Sequence, residues 1–280
     1  MSTAHVLILG AIAGGTIFLG LPIGRMQNLS PATRAALSAL ATGILVFLLW
    51  DVLSGAVEPI STALDARHWG RFSWLAALGV AGFAVGLMAL VYYSEWMKNR
   101  AKRRATALVG PGAAAIDEFE RRTWLDTLTP AKQLALLIAV GIGVHNFGEG
   151  LAIGQAAATG AASLAVTLIV GFALHNATEG FGICGPLTGE AEAPSWSFLT
   201  AMGLIGGGPT FLGTLLGNAW SSEAMSVVFF AVAAGSILYV VQELFAVNRK
   251  YGHTVLVTWL VLVGVLLGFA TDFVVSASGL

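Results

Sequence analysis

LIGGGPTFLGTLLG, residues 204–217, repeats AIAGGTIFLGLPIG, residues 11–24, with Ile12, Gly14, Gly15, Phe18, Leu19, Gly20 and Gly24 recurring as Ile205, Gly207, Gly208, Phe211, Leu212, Gly213 and Gly217. The likeness continues downstream, where ATGILVFLLWDVL (41–53) parallels AAGSILYVVQELF (233–245), placing Gly43 on Gly235 and Asp51 on Glu243. The competing reading of either match alone is that apolar, glycine-rich segments resemble each other by chance. Together, at offsets of 193 and 192, they mark an internally duplicated architecture.

Composition says what is duplicated. Hydrophobic residues make up 56% of the chain and charged residues 10%, against roughly a quarter charged in soluble domains. The mean hydropathy is +0.81. This is an integral membrane protein. Glycine supplies 35 of 280 residues, well above the usual ~7%, and small residues let membrane helices approach closely. The single cysteine, Cys184, excludes an internal disulfide and reads as a small apolar filler. A net charge of -1 argues against a nucleic-acid partner.

A spanning helix needs about 20 mostly apolar residues. Eight such runs occur, near 4–24, 34–57, 72–97, 132–156, 162–187, 196–218, 224–246 and 254–276. The expected fold is therefore an all-α polytopic membrane protein forming one transmembrane domain over 1–280. Helices 1–3 occupy about 4–97, a long loop about 99–130, helices 4–5 about 132–187 and helices 6–8 about 196–276. MSTAH has no basic stretch of the kind that opens a signal peptide, so the first run is read as a helix. Within the loop, IDEFERRTWLDTL is a candidate surface helix.

Lysine and arginine accumulate on cytoplasmic loops. With the N-terminus outside, Arg25, Arg34, the basic residues from Lys98 to Lys132, Arg249 and Lys250 all face inward, leaving only Arg67 and Arg71 outside. Both termini should be outside and the long loop cytoplasmic. Helix 6 follows helix 1 by an odd number of spans, so the repeat is inverted in a 3+2+3 arrangement. Many secondary transporters build two-sided access to a mid-membrane site in this way.

Between the copies lie HNFGEG (145–150) and HNATEG (175–180). Histidine and glutamate four residues apart share one helix face. A turn near TGAAS (159–163) would bring His145 level with Glu179, and Glu149 level with His175. An ionised carboxylate at mid-membrane costs roughly 2.5–3.5 kcal/mol on insertion scales, and no lysine or arginine lies inside helix 4 or 5 beyond Lys132 at the start of helix 4. A divalent cation would balance both. Two imidazoles and two carboxylates suit Zn²⁺, tolerate Fe²⁺, Mn²⁺ and Co²⁺, and disfavour Cu⁺. The competing structural reading is a protonated Glu–His knot that only ties helices together. Asn146 and Asn176 are either further ligands or interhelical hydrogen-bonders.

Two HN-x-x-EG copies on consecutive helices resemble the Zrt/Irt-like (ZIP) divalent metal transporters. The likeness extends over nearly the whole chain through the eight spans, the outside termini, the loop after helix 3 and the inverted repeat. It implies Zn²⁺ uptake into the cytoplasm by an elevator-like alternating access, with Fe²⁺, Mn²⁺ and Cd²⁺ as further cargo. The ion would travel as substrate, with no cofactor, through a multi-pass protein of a bacterial inner membrane, in a homodimer. His145, Glu149, His175 and Glu179 are then the principal metal site, with Asn146 and Asn176 at a second site in some members.

Three departures from the family pattern stand out. The family's HNxPEG proline is Gly148 in one copy and Thr178 in the other, which should leave both helices straighter. A Glu-Pro pair common on helix 6 is Gly208-Pro209 here, so one well-bound metal is expected rather than two. The long loop has no histidine, which argues against metal sensing there.

Other membrane-embedded polar residues suggest a route: Asp51 and Asp272 toward the outer side, Glu243 and Gln242 toward the cytoplasm. An enzyme is not expected, because intramembrane zinc proteases carry HExxH and this chain carries HxxxE. A selective metal channel and a proton-coupled carrier of another solute are the alternatives.

Overall fold

The computed structural model describes residues 2–27, 29–107, 124, 128–158, 173, 176–188, 190–219 and 222–277. The described chain is helical throughout. Helix α1 (Thr3–Gly15) is capped by Ser2, whose hydroxyl accepts from the His5 backbone, and runs on through 3-10 turns at Thr16–Leu19 and Leu21–Arg25. It is followed by α2 (Pro31–Asp65), α3 (Trp69–Ala107) and α4 (Pro130–Ala158). Helix α5 is described over 176–184 and ends in a 3-10 turn at Gly185–Leu187. Helices α6 (Trp196–Ala219), α7 (Glu223–Tyr251) and α8 (Thr254–Ala277) complete the chain.

Seven of these helices are long and apolar enough to cross a membrane. Most of the eighth expected span, 162–187, lies outside the described residues, as does most of the candidate surface helix at 116–128.

Two boundaries differ from expectation. The second span continues past Glu58 and Pro59 to Asp65, and the third continues into the expected loop as far as Ala107. At 1.5 Å per residue, their 35 and 39 residues reach about 52 and 58 Å, beyond the ~30 Å hydrocarbon core. Hydropathy marks where a helix leaves lipid, and these helices outlast that point. Between them the chain turns on Arg67, a non-glycine residue at φ 57°. His68 N donates to Ala63 O and Arg67 N to Leu64 O, a pattern that satisfies the last carbonyls of α2. Helix α7 follows its local signals: Ser222 caps it, Glu223 opens it, Arg249 and Lys250 close it, and Gly252 at φ 73° ends it.

The duplicated segments make duplicated contacts. Helices α1 and α6 cross in opposite senses, with Gly10 against Thr214, Gly14 against Gly207, and Gly203 against Phe18 and Leu21. Gly14 and Gly207 face each other's backbone carbonyls, where a Cβ on either would collide with main chain. The same reciprocity links α4 to α6 and α5 to α1. Gly150 meets Thr210 O and Gly213 meets Phe147 O, while Gly180 meets Ile17 O and Gly20 meets Ala177 O. Ile17 and Thr210 are 193 apart, as are Gly20 and Gly213, and each pair on α4 and α5 is 30 apart. Helices α2 and α8 touch through Gly43 at Val261 O and Gly264 at Leu40 O; α7 and α3 touch through Gly235 at Phe83 O and Gly86 at Val232 O. Leu40 and Val232 stand at the 192 offset of Gly43 and Gly235.

Candidate metal site

Helix α4 lies at the centre, its buried positions spread around the helix from Ala135 to Ala156, and its longest contact is with α6. It therefore carries His145, Asn146 and Glu149 into the interior, at 2%, 0% and 2% exposure. Helix α5 brings Asn176 and Glu179, both 0% exposed. His145 Nε2 lies 3.1 Å from Glu149 Oε1 and 3.6 Å from Glu179 Oε1. One imidazole nitrogen thus faces a carboxylate from each helix. His175 lies outside the described residues. Among the described residues no three histidine, cysteine, aspartate or glutamate side chains form a finished metal-binding group.

The asparagines hold the helices. Asn146 Nδ2 donates to Glu179 Oε2 and to Gly206 O, both at 2.9 Å, and Asn176 Nδ2 donates to Ala13 O at 2.9 Å. Gly206 and Ala13 are 193 apart, so each asparagine ties its motif to the equivalent turn of α6 or α1. This use of the amide nitrogens leaves Asn146 Oδ1 and Asn176 Oδ1 buried with no hydrogen-bond partner among the described residues, together with Glu149 Oε2. A buried polar oxygen left this way costs about 1–3 kcal/mol. Oxygens in this position are available to a cation.

Asp51 is partly buried on α2, within Coulombic reach of His145, Glu149, Glu179 and Asp272. Asp272 is partly exposed. Glu243 instead lies near Lys98 and Tyr239 at the other end of α7, and Gln242 beside it is exposed.

The departures from the motif have local causes. Helix α4 runs unbroken through Gly148, and a Cβ there would sit 3.0 Å from the Phe230 ring on α7. Glycine is what admits that ring. At Gly208 a Cβ would meet nothing within 4 Å among the described residues, so among these the carboxylate position common on helix 6 is open space. Thr210, two residues on, is fully buried, and its Oγ1 has no hydrogen-bond partner among the described residues. A threonine in an apolar run has no signal in sequence beyond its hydroxyl, so Thr210 does not stand out there.

A family model described as ZIP Zinc transporter matches residues 122–276, just over half of the chain, including both HN-x-x-EG motifs. No curated protein matches the chain.

Proposed function

Because the chain belongs to the ZIP zinc transporter family, whose members move divalent metal ions and are transporters rather than enzymes, we propose that it carries Zn²⁺ into the cytoplasm by alternating access. The observation that carries this reading is the buried convergence of His145, Glu149 and Glu179 from two helices whose lysines and arginines are limited to Lys132 in the first turn of α4. Two carboxylates in a membrane interior call for a cation. In this reading His145, Glu149, His175 and Glu179 hold one ion, and Asn146 bonds Glu179 Oε2 while Glu179 Oε1 faces the imidazole. The open space at Gly208 favours one bound ion over two. Asp51, reinforced by Asp272, draws cations to the outer side of the site, and Glu243 and Gln242 lie on the inner side.

The 3+2+3 inverted repeat is part of this proposal, with both termini outside and a bacterial inner membrane as the setting. The reciprocal contacts of α1 with α6, and the equivalent contacts of α2 with α8 and α7 with α3, support it. An inverted pair can exchange conformations, which turns one site alternately to each face. The homodimer follows from the family resemblance alone.

The test is radioactive zinc uptake into proteoliposomes by wild type, His145→Ala and Glu179→Gln, with Fe²⁺, Mn²⁺ and Cd²⁺ as competitors. Saturable uptake lost in both variants supports the reading, and undiminished flux in both removes the site assignment. Flux that rises linearly with zinc, without saturation, favours a channel. Zinc uptake that requires an imposed proton gradient identifies a proton-coupled carrier.

A further inference from the structure

Ser38 and Thr42 on α2 and Asn248 on α7 are buried at 0%, 0% and 3% exposure, with Ser38 and Thr42 thirteen and nine residues before Asp51. Asn248 Nδ2 donates to Thr42 Oγ1 at 2.9 Å, and Thr42 Oγ1 donates to Ser38 O at 2.7 Å. Ser38 Oγ and Asn248 Oδ1 have no hydrogen-bond partner among the described residues. The group contains hydroxyl and amide oxygens with no carboxylate, imidazole or thiol among them.

The repeat shows that the group is one-sided. At the 192 offset, the equivalents of Ser38, Thr42 and Asn248 are Phe230, Ala234 and Ala56. The half that carries Phe230 is apolar there, and the ring packs against Gly148 on α4 and lies 3.6 Å from a Cβ built on Gly55 of α2. Equivalent places in the two halves are thus plugged by an aromatic ring on one side and lined with oxygens on the other.

Packing between α5 and α2 leads toward the oxygen-lined side. Most glycines between helices here are jammed against backbone, but a Cβ on Gly182 would find only Leu45 at 3.9 Å, and one on Gly185 would find Ala41 at 3.4 Å and Ser38 at 4.0 Å. Gly185 is six residues beyond Glu179, a rise of about 9 Å. The α5–α2 seam therefore has slack where it runs from Glu179 to Ser38.

Resting on the zinc-transport reading above, we propose that Ser38, Thr42 and Asn248 form a second, low-affinity site that receives a hydrated divalent cation leaving Glu179 for the cytoplasm. Neutral oxygens replace part of a cation's water shell without holding it tightly, which is the property a release station needs. Phe230 makes the equivalent outer position unable to do the same, so the duplicated fold carries a polar path on one side only.

The experiment compares zinc uptake in proteoliposomes with zinc binding by calorimetry. In Ser38→Ala/Asn248→Leu the maximal uptake rate should fall about tenfold while zinc affinity stays at the wild-type value. Asn248→Ser, which keeps an oxygen, should retain most of the rate. An unchanged rate in the double variant, or affinity and rate falling together, overturns the proposal. A second measurement does not depend on transport. In a Cys184→Ala background, Ser38→Cys adds a soft donor and should raise bound Cd²⁺ by one ion per chain. An unchanged Cd²⁺ content also overturns it. Failure of the central reading is separately visible, as zinc binding that survives Glu179→Gln.

Discussion

Asn146 donates a hydrogen bond from α4 to the Glu179 carboxylate on α5 at 2.9 Å, and its second amide proton goes to Gly206 O on α6. One side chain therefore sets the position of a proposed ligand and anchors it to the duplicated helix. Groups that orient ligands typically matter to metal affinity by about 10–100-fold. Asn146→Ala should weaken zinc binding by that amount, read by competition with a fluorescent chelator. Asn176→Ala should have a smaller effect, because its amide bonds Ala13 O and no described ligand.

Gly207 and Gly208 are adjacent and should respond in opposite ways. A Cβ on Gly207 would strike Gly14 O, which belongs to the backbone and cannot give way, whereas one on Gly208 meets nothing. Gly207→Ala should destabilise the detergent-solubilised protein by about 1–3 kcal/mol or more. Gly208→Ala should be neutral or stabilising by up to about 1 kcal/mol through helix propensity. Thermal unfolding followed by tryptophan fluorescence separates the two.

Restoring the family proline should clash with Phe230. Gly148→Pro removes a helix hydrogen bond and presses its ring on the Phe230 edge that a Cβ would already reach at 3.0 Å. It should lower stability by about 3 kcal/mol, and Phe230→Ala in the same chain should recover part of that loss. A double-mutant cycle with no coupling would mean that Phe230 is not what glycine accommodates.

Protons compete with metal for this donor set. An imidazole nitrogen and a carboxylate bind a cation only when deprotonated, so zinc affinity should fall as pH falls and rise as it rises. Between pH 7.5 and 5.5 the loss should reach about tenfold or more, measured by zinc competition in detergent. In Glu149→Gln/Glu179→Gln the pH dependence should flatten along with a loss of affinity.

The fold was legible where chemistry repeats. The 193 offset between Gly14 and Gly207 in the sequence reappears as a reciprocal backbone contact, because two glycines let two helices touch at one point. His145 lies 3.6 Å from Glu179, as four-residue spacing on two consecutive helices leads one to expect, while the turn expected near 159–163 lies outside the described residues. Helix ends were less legible: Pro59 and Glu58 look like a stop, yet α2 continues, since a helix outside lipid needs no apolar residues. The Ser38, Thr42 and Asn248 group was invisible because its parts are 206 residues apart in the case of Thr42 and Asn248, and single hydroxyls in apolar runs resemble ordinary helix residues. Asp51 and Glu243 align in sequence but not in setting, as only Asp51 lies within reach of His145.

Zinc-edge X-ray absorption on purified wild-type protein loaded with zinc tests the central claim most directly. The account predicts one tightly bound ion per chain, coordinated by nitrogen and oxygen at about 2.0–2.2 Å with two imidazoles and no sulfur, and loss of that ion in Glu179→Gln. A sulfur ligand, or a spectrum unchanged by Glu179→Gln, would contradict it.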